Sequence, residues 1–167
     1  LFAESQGGFG FPLKILLAST LNPIFANNFA HWLEMTLAGI GMHCLARKIG
    51  LSQWAAGFAA IGLVFSGYWL LLLQNMTLST AMLCIPWMLL TYEYWVSSPS
   101  WKTGWLFGAA TALSVLAGYP HCLHGCIIYI SVSLLVMLCD KQERERWRSQ
   151  WPAAIKAGLL AVTVCIA

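Results

Sequence analysis

Residues 27–50 read NNFAHWLEMTLAGIGMHCLARKIG, a mostly apolar stretch with one acid, Glu34, and two bases, Arg47 and Lys48, held back to its last turn before Gly50. A membrane-spanning helix needs about 20 mostly apolar residues. Residues 27–49 fit that ruler, and it fits again over 52–73, 79–96, 102–118 and 121–139, with a further run opening at Pro152 and stopping at Ala167. The reading this forces is an all-α fold: a polytopic transmembrane helix bundle of about five full spans plus a truncated sixth. Residues 11–26 are apolar but short and carry Pro12, Lys14 and Pro23, so they read as an interfacial or re-entrant segment. The expected organisation is a loop tail and interfacial segment over 1–26, a five-helix region over 27–139, a linker over 140–151 and the start of another helix over 152–167.

Composition points the same way. Hydrophobic residues make up 59% of the 167 and charged residues 9%, against about 45–50% and about 25% in ordinary soluble domains. The chain opens on Leu1 rather than Met and stops inside an apolar run. A longer parent is expected, with at least one spanning helix before Leu1 and more beyond Ala167.

The breaks between runs carry turn chemistry. Gly50 can close one helix while Ser52 caps the next, Pro99 sits among serines 97, 98 and 100, and Gly118 precedes Pro120. Such short connections make neighbouring helices antiparallel, so basic residues can orient the whole. Arg47, Lys48, Lys102, Lys141, Arg144, Arg146, Arg148 and Lys156 fall on one side, and Lys14 on the other. By the positive-inside rule the larger group is cytoplasmic. The chain is then expected to be an integral membrane protein with residues 1–10 and the turns 74–78 and 119–121 outside. The net charge of +3 does not come from a basic patch interleaved with aromatics, so no nucleic-acid partner is expected. Lipid bilayer is the expected surrounding, with a larger membrane complex as a further partner.

Small residues recur every four positions at Gly104, Gly108 and Ala112, and again at Ala55, Ala59, Gly62 and Ser66, as dense helix packing requires. The cysteines, Cys44, Cys84, Cys122, Cys126, Cys139 and Cys165, have no regular spacing and read as small packing residues.

Groups able to do chemistry are scarce: six acids and four histidines. Glu4 lies in the polar stretch Glu4-Ser5-Gln6-Gly7-Gly8, where a carboxylate can deprotonate a hydroxyl or hold a divalent cation, or be a solvated loop acid. His31 and Glu34 are three apart and share a helix face. That pair can line a binding cavity, or a neutral Glu34 can bond His31 for structure alone. His121, Cys122, His124 and Cys126 resemble a zinc set, but at about 100° per residue the cysteines and histidines point apart. No metal site is expected from them. His121 instead tips the turn Gly118-Tyr119-Pro120-His121, on the side of Gln74 and Asn75.

The order of several motifs is familiar: Ala3-Glu4-Ser5-Gln6-Gly7-Gly8, Phe11-Pro12-Leu13, Leu37-Ala38-Gly39-Ile40-Gly41-Met42, Leu45-Ala46-Arg47-Lys48-Ile49-Gly50-Leu51-Ser52, Phe65-Ser66-Gly67-Tyr68, Ile85-Pro86-Trp87-Met88-Leu89-Leu90 and Leu116-Ala117-Gly118-Tyr119-Pro120-His121. Together they resemble the bacterial YfhO-like membrane proteins, a branch of the GT-C glycosyltransferases. The resemblance implies a place in the bacterial inner membrane and transfer of a sugar from a polyprenyl-phosphate carrier to an extracytoplasmic acceptor. It makes Glu4 and His121 the catalytic residues, with Lys14, His31, Glu34, Gln74, Asn75 and Tyr119 around the substrate. It implies no certain cofactor beyond a possible divalent cation. The family's usual first-loop acid is Asp, and its last turn reads Gly-His-Pro-Gln where this chain has Gly118-Tyr119-Pro120-His121. Two other classes stay open: a non-enzymatic subunit using His31, His43, His121 or His124 for a haem or pigment, and a transporter using His31 and Glu34 as a proton-linked pair.

Overall fold

The computed structural model describes residues 12–67, 76–117, 121–139 and 145. Within them the chain forms six helices: α1 (Pro12–Thr20), α2 (Pro23–Lys48), α3 (Gln53–Val64), α4 (Met76–Ser97), α5 (Trp101–Leu116) and α6 (His121–Cys139).

The turns follow from the residues at the breaks. Gly50 takes a left-handed backbone, φ 96°, which glycine adopts without a Cβ penalty. Leu51 N then donates to Ala46 O at 3.0 Å and Gly50 N to Arg47 O at 3.2 Å, the paired bonds of a Schellman closure. Two residues on, the Ser52 hydroxyl caps α3 by accepting from Ala55 N. Ser100 opens α5 with a capping box, its side chain accepting from Thr103 N while Thr103 Oγ1 accepts from Ser100 N.

At the centre is the α2–α4 pair. Glu34 meets Ser79 and Thr80, the Leu37 carbonyl meets Trp87, and Lys48 meets Ser97. The partners advance in step along both helices, so α2 and α4 run parallel, with α3 returning beside α2. α1 packs on α2, and α5 and α6 pack on α4. Trp95 stacks on Phe107 at 5.6 Å between centroids, and Tyr92 contacts both Phe107 and Tyr129. The largest buried apolar cluster, Ala38, Ala81, Leu83, Cys84 and Ala117, is built of small and medium side chains. Of the two small-residue stripes, Gly104 and Gly108 are buried, whereas Gly62 faces open space. Cys84 and Cys126 are buried, Cys44 is half-buried and Cys139 is exposed.

The transmembrane expectation is corrected here. Among the described residues no helix is long and apolar enough to cross a membrane. At about 1.5 Å per residue, the 9, 12 and 16 residues of α1, α3 and α5 fall well short of about 30 Å of hydrocarbon. The apolar run 52–73 was read as one span, but its helix stops at Val64. α2 is long, at 26 residues, yet carries Asn27, Asn28, His31, Glu34 and His43. α4 carries Pro86 and Glu93 among several hydroxyl residues. The polytopic bundle, the integral inner-membrane location and the outer placement of residues 1–10 fall with that finding. What stands is an all-helical chain whose outside is nonetheless strongly apolar, with Trp54 83% exposed, Phe58 74% and Trp32 73%.

Candidate functional site

Among the described residues one charged side chain, Glu34, is fully buried. It lies in the first half of α2, and each of its carboxylate oxygens has two neighbours. Oε1 accepts from Thr80 Oγ1 at 2.6 Å and lies 3.6 Å from Lys14 Nζ. Oε2 accepts from Ser79 Oγ at 2.8 Å and lies 3.4 Å from His31 Nδ1. Three helices supply the set: α1 brings Lys14, α2 brings His31 and Glu34, and α4 brings Ser79 and Thr80.

The hydrogen bonds fix the protons. Ser79 has a single hydroxyl hydrogen, which goes to Glu34, so at the 3.2 Å contact between Ser79 Oγ and His31 Nδ1 the imidazole is the donor. His31 therefore carries its proton on Nδ1, leaving Nε2 as the ring atom a ligand would meet. Burial alone pushes the Glu34 carboxyl up. His31, Lys14, Thr80 and Ser79 together outweigh it, and the carboxyl sits below its ordinary value. Lys14 is held below its ordinary value by burial, opposed by the attraction of Glu34. The two groups form one ion pair whose acid is entirely inside, while the Lys14 and His31 side chains keep 17% and 14% of their surface exposed.

A carboxylate so engaged is a poor general base, because taking a proton from a substrate would first cost it charge-assisted bonds. Glu34 instead holds Lys14 and His31 in place, and each of those keeps part of its side chain exposed.

A second acid makes a simpler contact. Tyr129 on α6 donates to Glu93 Oε1 on α4 at 2.7 Å. Burial and that bond raise the Tyr129 phenol to about 12. Behind it the Tyr92 hydroxyl is buried without a hydrogen-bond partner, and burial raises its pKa too.

Of the residues expected around a substrate, Lys14, His31 and Glu34 are brought together. Glu4, Gln74, Asn75 and Tyr119 lie outside the described residues, as does the side chain of His121 at the start of α6. His124 is exposed and Cys126 buried, in keeping with helix geometry that points them apart. Among the described residues no group of three or more His, Cys, Asp or Glu side chains is placed to hold a metal ion. Sequence reasoning missed Ser79 and Thr80. Their only signal was a pair of adjacent hydroxyls opening an otherwise apolar run. No protein-family model, curated protein or solved structure matches this sequence.

Proposed function

We propose that this chain binds the phosphate of a polyprenyl-phosphate-linked sugar at Lys14 and His31 and takes part in transferring that sugar to an acceptor. The observation that carries the reading is the division of labour around Glu34: the acid is consumed internally, and two groups able to hold an anion are left oriented at the surface. The order of motifs resembling the YfhO-like proteins supports the same chemistry. A phosphate arriving here meets the Lys14 ammonium directly. His31 lies 3.4 Å from the other Glu34 carboxylate oxygen through Nδ1, so one acid holds both contacts in place. Ile15, next to Lys14 in α1 and exposed, offers an apolar surface to an isoprenoid tail. In this reading Glu4 or His121 takes the proton of the acceptor hydroxyl, and Lys14 and His31 stabilise the departing phosphate.

Transfer of labelled sugar from polyprenyl-phosphate donors is the test, with the full-length protein and its Lys14→Gln, Lys14→Arg, His31→Gln and Glu4→Gln variants. Donor binding should weaken by about tenfold or more in Lys14→Gln, recover in part in Lys14→Arg, and survive in Glu4→Gln while transfer is lost. Undiminished donor binding in Lys14→Gln and His31→Gln, or no transfer by wild type from any of several donors, would overturn the proposal.

A further inference from the structure

On the face of α2 turned away from Glu34 lies a groove of about 590 Å³ between α2 and α3. At about 100° per residue, Trp32 and Thr36 point some 200° from Glu34, so this concavity shares no wall with the ionic cluster. Its volume falls within the range of small-molecule sites, roughly 300–1,000 Å³. Trp32, Ile40, Ile61 and Phe65 stand along its edges, all more than two-fifths exposed. Polar groups in the lining are Thr36 and His43, and the Thr36 hydroxyl already donates to the Trp32 carbonyl at 2.8 Å.

Two features define an occupant. The floor is kept low by glycine: a Cβ added to Gly57 meets nothing within 4 Å, although Gly57 lines the groove. Helix α3 gains no stability from that glycine, since alanine is the better helix former, so the empty space has no backbone reason. The second feature is the polarity of the two ends. From Trp32 the groove follows α2 for about 16 Å to His43, and one turn further stands exposed Arg47. The Arg47 guanidinium is folded over the helix end by a 2.8 Å bond from Nη1 to the Leu51 carbonyl, which employs one of its five donors.

A long apolar trough with an imidazole in its lining and an exposed guanidinium one helical turn beyond has the complementarity of a single-chain anionic amphiphile. We infer that the α2–α3 groove binds a fatty acid of medium length, its chain along Trp32, Gly57 and Ile61 and its carboxylate at His43 and Arg47. This site stands on the face opposite the proposed phosphate contacts, and either assignment can fail without the other.

Equilibrium dialysis of the full chain with radiolabelled dodecanoate, and in parallel with dodecanol, tests it. Wild type should bind dodecanoate saturably at one site and more tightly than dodecanol. Gly57→Leu, which puts a side chain into the trough where a Cβ meets nothing within 4 Å, should weaken both by about tenfold or more with helicity unchanged by circular dichroism. Arg47→Gln should weaken dodecanoate by about threefold and leave dodecanol as it was. Unsaturable binding in wild type, equal binding in Gly57→Leu, or a Gly57→Leu effect that appears only as loss of self-association would overturn the assignment; the last would make the groove an interface between copies.

Discussion

The two faces of α2 solve opposite problems with the same helix. Toward α1 and α4, contact is tight and polar groups are matched: Glu34 is surrounded, Gly41 admits the Trp87 ring, and Trp87 Nε1 donates to the Leu37 carbonyl at 3.0 Å. Toward α3, Gly39 brings α2 close to Val64, yet the same pair of helices leaves an apolar trough between Trp32 and His43 that no described side chain fills. The difference teaches that burying a charge leaves no tolerance in its surroundings, whereas an apolar surface can be left open at modest cost.

The largest break in this comparison comes at Glu34. Glu34→Ala strands the Lys14 ammonium beside two hydroxyls, and removing one member of a buried pair typically costs about 3–5 kcal/mol. Chemical denaturation should register a loss in that range; a loss below about 1 kcal/mol would mean that the cluster behaves like a surface pair. Acid attacks the same point. The folded Glu34 value lies below the unfolded one, near 4.5, so its stabilisation is complete above that pH and drains away as pH falls through the lowered folded value. Lys14 acts in the opposite sense, its lowered value making the buried ammonium a cost that is relieved as pH rises through it. The Glu34→Ala variant should show a flatter stability profile below pH 4.5 than wild type.

Paired glycine substitutions sharpen the contrast further. A Cβ on Gly41 lands 2.8 Å from Trp87 Nε1, a separation that forces the indole to move, so Gly41→Ala should destabilise by about 1–3 kcal/mol. Gly57→Ala, placed where nothing is met, should instead stabilise by a fraction of 1 kcal/mol, up to about 1. Equal effects of the two on the unfolding midpoint would erase the distinction between the faces.

Much of the helical organisation was legible in the sequence, because local chemistry determines it. Gly50, Ser52 and Ser100 end and begin helices through bonds to residues no more than five away. The pairing of His31 with Glu34 was legible for the same reason, three residues apart on one face. Apolar run length misled. It measured composition through the segment 52–73, where the helix ends at Val64, and so turned short and polar-bearing helices into spans. Ser79 and Thr80 were hidden because they are 45 and 46 residues from Glu34, and only tertiary packing joins them. The resemblance sets Lys14 among the substrate contacts, but its ion pair with Glu34 depends on how α1 lies on α2, which no local pattern encodes.

The most direct measurement is infrared spectroscopy of the protein at neutral pH, wild type against Glu34→Gln. An ionised Glu34 held by Lys14, His31, Ser79 and Thr80 should appear as carboxylate intensity that the substitution removes, with no protonated-carboxyl band in either protein. A protonated-carboxyl band in wild type that disappears in Glu34→Gln would show a neutral acid at the centre of the cluster, and would contradict the charge-positioning role assigned to it.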